Sequence, residues 1–166
     1  MGENPALSHP ESRMARGGVL PFGENHPPCY TSIYFFMSMH FGEHLTIDGY
    51  GGDKKSLASK ELVLSCLNEL PGLFGMHKIA EPQLVVFPGN GGKDPGGVSG
   101  VVLIAESHIS IHTFTERRFL TADVCSCKVG MNTTFIIEYF KKQFGLQDIE
   151  DHFIIRGTRY PDKNIA

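Results

Sequence analysis

A two-layer α+β fold, with helices packed on one face of a mostly antiparallel sheet, is what this sequence predicts, on three observations. Several short runs alternate apolar and polar residues with the two-residue period of a half-buried strand. Two longer stretches carry apolar residues at helical spacing between recognisable capping residues. Breaks rich in Gly and Pro separate the runs. In chain order the elements read β-α-β-β-β-β-α-β, and an isolated pair of helices beside a run of strands buries its apolar stripes best against one sheet face.

Residues 1–36 open the chain with Pro, Gly, Ser, Asn and Glu and no apolar periodicity, as at Gly17-Gly18 and Pro27-Pro28, and read as a flexible extension. A single domain over 37–166 follows. His44 to Tyr50 alternates as a strand and ends at Gly51-Gly52, a natural turn. From the plausible N-cap Ser59, the residues Leu62, Leu64, Cys66, Leu67 and Leu70 form a broad apolar stripe, and Pro71-Gly72 is expected to end that helix. Pro82 to Phe87 is strand-like, and Gly89 to Gly97 must be loop. Ser99 to Ala105, His108 to Phe114 and Phe119 to Cys127 are three β-rich runs, so the middle of the chain reads as an antiparallel sheet. Asn132 or Thr133 can cap a second helix bearing Phe135, Ile136, Tyr139, Phe140 and Phe144, with Gly145 at its C-cap, and Phe153-Ile154-Ile155 suggests a last strand.

The bulk numbers narrow the function classes. A chain of 166 residues, 41% hydrophobic and 20% charged, suits one globular core. A net charge of −3 gives no electrostatic reason to expect nucleic acid or an acidic membrane as partner, and a small-molecule substrate fits better. Cys29, Cys66, Cys125 and Cys127 are too few and too irregular for a disulfide framework, which favours a reducing, cytoplasmic setting. The apolar stretch Ser32 to Met39 is far short of the roughly 20 residues that span a bilayer, so a soluble protein is expected.

The chemistry concentrates in Gly97-Val98-Ser99-Gly100, in Ala105-Glu106-Ser107-His108-Ile109-Ser110-Ile111-His112-Thr113, and in Asp123-Val124-Cys125-Ser126-Cys127. A buried hydroxyl, imidazole or carboxylate left without a partner costs on the order of 1–3 kcal/mol. Folding alone therefore does not favour Glu, Ser and His embedded in apolar strands. These segments resemble the processing and catalytic region of the prokaryotic S-adenosylmethionine decarboxylases. The likeness runs from about His44 to Tyr160, with His44-Leu45-x-x-Asp48-x-Tyr50-Gly51 similar to the family's first strand and Ile154-Ile155-Arg156-Gly157 to its last.

The resemblance implies a proenzyme that cuts itself between Glu106 and Ser107 into a β chain, 1–106, and an α chain, 107–166. Ser107 Oγ would attack the Glu106 carbonyl to give an ester, and β-elimination would leave a pyruvoyl group, derived from Ser107, at the start of the α chain. Ser99 and His112 match the positions that assist, the hydroxyl by bonding the oxyanion and the imidazole by accepting a proton. The pyruvoyl ketone would take the substrate's α-amine as a Schiff base and draw off the electrons released with carbon dioxide. Cys127 matches the family's proton donor. Glu116 matches a carboxylate expected to hold the ribose hydroxyls, with the aromatic Phe114 beside it. No metal is implied. The family typically pairs two such units with each active site near the interface, so a homodimer of processed α/β units is expected, serving spermidine synthesis.

Some positions depart from the pattern. Phe114-Thr115 stands where Trp-Pro is common, and Lys128 follows Cys127 where Gly is usual. Relatives that decarboxylate arginine or ornithine with the same pyruvoyl chemistry supply an alternative substrate, and Asp94 could face a cationic side chain. Other readings stay open. His108 and His112 share a strand face and Cys125 and Cys127 another, which would allow a zinc site, although the spacing matches no common module. A Ser-His-Cys hydrolase lacks a nucleophile elbow, and Gly91-Gly92-Lys93 lacks the full phosphate-loop spacing. Cys127 could be a small buried hydrophobe and Glu116 a solvated turn carboxylate, while Cys29 and Cys66 read as structural. A non-catalytic scaffold or activator would be expected to have lost Ser107, His112 or Cys127, and all three are present.

Overall fold

The computed structural model describes residues 40–93 and 95–161. The extension assigned to 1–36, Cys29 and Asp94 lie outside these residues.

Six strands form one antiparallel sheet: β1 (Gly42–Tyr50), β2 (Gln83–Phe87), β3 (Gly97–Ile104), β4 (Ser107–Phe114), β5 (Phe119–Ser126) and β6 (Asp148–Arg156), in the spatial order β2-β3-β4-β5-β1-β6. The first strand in sequence thus sits one in from the edge, between β5 and β6. Three helices join them: α1 (Lys54–Ala58), α2 (Lys60–Leu73) and α3 (Thr133–Phe144). Alternation sends Leu45 and Ile47 of β1, Val98 and Val102 of β3, Ile109 and Ile111 of β4, and Leu120 and Val124 of β5 to one face. There they meet Leu67 and Leu70 of α2 and Ile136, Phe140 and Phe144 of α3 in a single core. The expected α+β architecture is what the chain adopts.

Element boundaries follow from caps and packing. Asp53 accepts the Ser56 N–H and starts α1, a short helix that the periodicity does not announce because Leu57 is its one buried residue. Ser59 caps α2 through the Leu62 N–H, as expected. Contrary to expectation, α2 continues through Pro71 to Leu73, since Pro71 is itself buried against the core and the turn ends only at Phe74. Asn132 caps α3 and Gly145, at φ 61°, closes it. The final strand is longer than its apolar triplet, since Asp148 to Glu150 pair in register with Tyr50 to Asp48 despite their charge.

The second face of the sheet carries the alternate residues. Ser99, Val101 and Leu103 of β3, His108, Ser110 and His112 of β4, Asp123 and Cys125 of β5, and His44 of β1 all point there by register. Val85, Val101 and Leu103 are exposed. Among the described residues no helix is long and apolar enough to cross a membrane.

Candidate active site

The hairpin between β3 and β4 is as tight as a hairpin can be. Ile104 pairs with Ser107, leaving only Ala105-Glu106 as the turn. Ser107, the first residue after it, has φ 151°, a conformation L residues rarely adopt and one that typically costs about 1–3 kcal/mol. Its hydroxyl lies 3.1 Å from His108 Nδ1.

Three contacts hold the preceding residue in place. The Glu106 carbonyl oxygen accepts the Cys127 N–H at 2.8 Å, because β5 pairs Ser126 with Ser107 and so carries Cys127 alongside Glu106. The Glu106 carboxylate accepts the backbone N–H of His77 at 3.0 Å and meets its Nδ1 at 2.9 Å. These contacts, the backbone one foremost, hold the Glu106 carboxyl below its ordinary range. Residues 77–79 are laced to the end of β3 as well: Ala105 N–H donates to the His77 carbonyl and Ile79 N–H to that of Leu103. His77 is a site residue that sequence reasoning missed, since it lies 29 positions away in a segment without periodicity.

Cys127 itself is exposed, so the reading of it as a buried hydrophobe is corrected; Cys66, by contrast, is fully buried and its thiol is pushed up to about 11 by burial. The loop after Cys127 is pinned by Glu43. Burial alone would raise that carboxyl, but the N–H groups of Gly130 and Met131, at 2.7–3.0 Å, outweigh it and hold its pKa below the usual 4.5. A glutamate directly before the alternating run 44–50 is the only sequence signal for this role. Lys128 donates to the Gly75 carbonyl, which gives the departure from the usual Gly a structural use.

The remaining candidate residues gather at the other end of β4. Ser99 and His112 face one another across the β3–β4 pair, with Oγ 3.0 Å from Nδ1. Phe114 pairs with Phe119, whose ring in turn packs on Tyr50, at centroid distances of 5.6 and 5.2 Å. Glu116, in the 3-10 turn Thr115–Arg117, is exposed and bound to Lys54 at 2.8 Å. His112 is five residues beyond Ser107 along one continuous strand, so about 17 Å separates them at ~3.3 Å per residue. Within one chain the structure joins Ser107, Glu106 and Cys127, and separately joins Ser99 to His112, with Phe114 and Glu116 following His112 along the chain; it does not join the two sets.

The register also corrects the division of His and Cys between two faces. His108 stands opposite Cys125, and Cys125 opposite His44, so imidazoles and thiol share the open face. Among the described residues no group of three or more His, Cys, Asp or Glu side chains is placed to hold a metal ion.

Six antiparallel strands under three helices, with a serine and a cysteine converging at the central hairpin, define a two-layer α+β domain. The family model for S-adenosylmethionine decarboxylase matches residues 43–157. An S-adenosylmethionine decarboxylase proenzyme of Thermococcus kodakarensis is 39% identical over 125 residues, covering 75% of this chain and 82% of that one. A proenzyme of the same name from Clostridium botulinum is 30% identical over 116 residues, covering 70% of this chain and 94% of the relative. The crystal structure of the adenosylmethionine decarboxylase of Aquifex aeolicus superposes with a TM-score of 0.62 at 29% identity, over 75% of this chain and 98% of that chain. This chain belongs to the S-adenosylmethionine decarboxylase family.

Proposed function

We propose that this protein decarboxylates S-adenosylmethionine, after cutting itself between Glu106 and Ser107, to supply decarboxylated S-adenosylmethionine for spermidine synthesis. The observation that carries the reading is the state of that one peptide bond. Its carbonyl is polarised by the Cys127 N–H, its acid residue is clamped by His77, and its serine is held at φ 151°. Cleavage frees Ser107 from that conformation, so the strain favours the product side.

The residues present fit a pyruvoyl group made from Ser107. Such a ketone supplies an electron sink for the loss of carbon dioxide from an amino acid bound through its amine. Cys127, exposed and bonded through its own N–H to the residue before Ser107, is where a thiol proton donor to the former α-carbon would stand. The mutually tilted rings of Phe114, Phe119 and Tyr50 offer an apolar surface for a purine, and Glu116, in the turn after Phe114, a carboxylate for ribose hydroxyls.

A site needing both sets of residues draws them from two copies. A two-fold axis across the middle of β4 exchanges the ends of that strand, laying the Ser107–Cys127 end of one protomer against the Ser99–His112–Glu116 end of its partner. The open sheet face, with exposed Val85, Val101 and Leu103, supports this homodimer of processed units. In it the partner's imidazole is the proton acceptor for the elimination step. The unbridged Cys66, Cys125 and Cys127 suit a reducing cytoplasm. For the arginine or ornithine alternative, which rests on relatives that share the pyruvoyl chemistry, the residue that could face a cationic side chain, Asp94, lies outside the described residues.

Intact mass spectrometry of the purified protein tests the cleavage. Fragments 1–106 and 107–166 are expected, the second lacking the ammonia that pyruvoyl formation releases, and a single uncut chain would overturn the proposal. A carbon dioxide release assay offering S-adenosylmethionine, arginine and ornithine in parallel tests the substrate, and preference for a basic amino acid would overturn that part.

A further inference from the structure

Self-cleavage begins with removal of the Ser107 hydroxyl proton, and the Ser99–His112 pair is about 17 Å along the strand from that hydroxyl. One imidazole does touch it: His108 Nδ1, at 3.1 Å from Oγ. The geometry assigns to His108 the role of catalytic base and acid in the first half of processing, the shift of the Glu106 acyl group from nitrogen to oxygen, carried out by each chain on itself. This rests on the cleavage proposed above.

The step balances within the chain. With its proton on Nε2, the His108 ring accepts the Oγ proton at Nδ1 while Oγ bonds to the Glu106 carbonyl carbon, closing a five-membered ring. The carbonyl oxygen takes up the negative charge and keeps the Cys127 N–H, already 2.8 Å away, as its donor. The carbon–nitrogen bond then breaks, its electron pair going to the Ser107 nitrogen, which receives the proton back from Nδ1. An ester and a free amine result, with no other reactant consumed. Only the following elimination, which removes the Ser107 α-proton, calls on the imidazole at the far end of a partner's β4.

The surroundings of His108 leave it free for this task. By register it stands between Leu103 on β3 and Cys125 on β5, with His44 beyond Cys125 on β1, and no carboxylate is paired with it across either strand. The nearest acid along the chain, Glu106, is engaged by His77. Asp123, two rows away, is taken by His44 and Ser110.

The test follows newly made full-length chain in cell-free translation, sampled with and without hydroxylamine, which cuts an ester but not an amide. For the natural chain both the ester and the finished fragments are expected. His108→Ala should slow the appearance of hydroxylamine-sensitive chain by about 100-fold or more, the usual worth of a positioned base. His108→Asn, which keeps an acceptor but cannot carry a proton, should be equally slow. Added imidazole should restore part of the rate to His108→Ala, and without it only the natural chain's rate should depend on pH. His112→Ala should still accumulate the ester. If either His108 variant forms ester at the natural rate, or imidazole and pH leave the rates unchanged, the assignment is overturned. If the natural chain itself forms neither ester nor fragments, the cleavage reading fails instead.

Discussion

The two ends of β4 are built to different specifications. At the Ser107 end the backbone is strained, a two-residue turn is clamped from three sides, and the polar groups hold one another through main-chain contacts. At the His112 end the strand is regular, the side chains Ser99, His112 and Phe114 stand on an open face, and Glu116, in the turn that follows, is bound to an exposed lysine. The first arrangement suits a reaction the chain performs on itself, where geometry must be fixed before any ligand arrives. The second suits residues that meet something from outside. Neither end alone contains every group that the proposed chemistry uses, and their separation along a rigid strand is what points to two copies.

The largest effect should come from mixing the two ends. Ser107→Ala and His112→Ala chains are each expected to be inactive alone. Co-expressed, half the dimers are mixed and each mixed dimer holds one intact pair of ends, so about a quarter of the natural decarboxylase activity should return. No recovery would mean that both ends act within one chain, and the division drawn above would be wrong.

Glu43→Gln sharpens the contrast by loosening the loop behind Cys127. Loss of a buried carboxylate that accepts N–H groups from Gly130 and Met131 should cost about 1–3 kcal/mol, read as a lower urea midpoint. The pH dependence has a definite sign. The folded-state pKa lies below the ordinary 4.5, so the stabilisation is present above that value and disappears as pH falls through the lowered one. The natural chain should therefore lose midpoint on acidification below about pH 4.5, and the difference from Glu43→Gln should shrink in the same window.

A smaller change is expected at the turn. His77→Ala removes the ring contact to Glu106 but leaves the backbone N–H, so cleavage should slow by roughly fivefold, the equivalent of about 1 kcal/mol, and His77→Asn should recover most of it. An unchanged rate would show that the main-chain contacts alone set the turn. Smallest of all is Lys54→Ala. The pair with Glu116 is exposed on both sides, and its loss should move stability by less than about 0.5 kcal/mol, as thermal denaturation would show, while leaving self-cleavage untouched.

Much of this molecule is legible from local pattern. Alternation in 44–50, 108–114 and 119–126 places the central strands because one face of each is buried, and the caps Ser59, Asn132 and Gly145 act through backbone groups within a few residues. Even the separation of Ser107 from His112 is implied once both are put on one strand. Helix α1 escaped because five residues bury one side chain, and the end of α2 was misread because a proline that should stop a helix is packed into the core.

What the sequence by itself determined, then, is where most strands and caps fall and so which strand most of the candidate residues stand on, because hydrophobic period and short-range capping are local. The tertiary structure decided which of those residues meet. Cys127 N–H reaches Glu106, His77 grips the same residue, and Glu43 holds the loop at 130–131 only because strand order and register bring distant segments together. Such contacts are fixed by how the whole sheet packs, and no window of neighbouring residues encodes them.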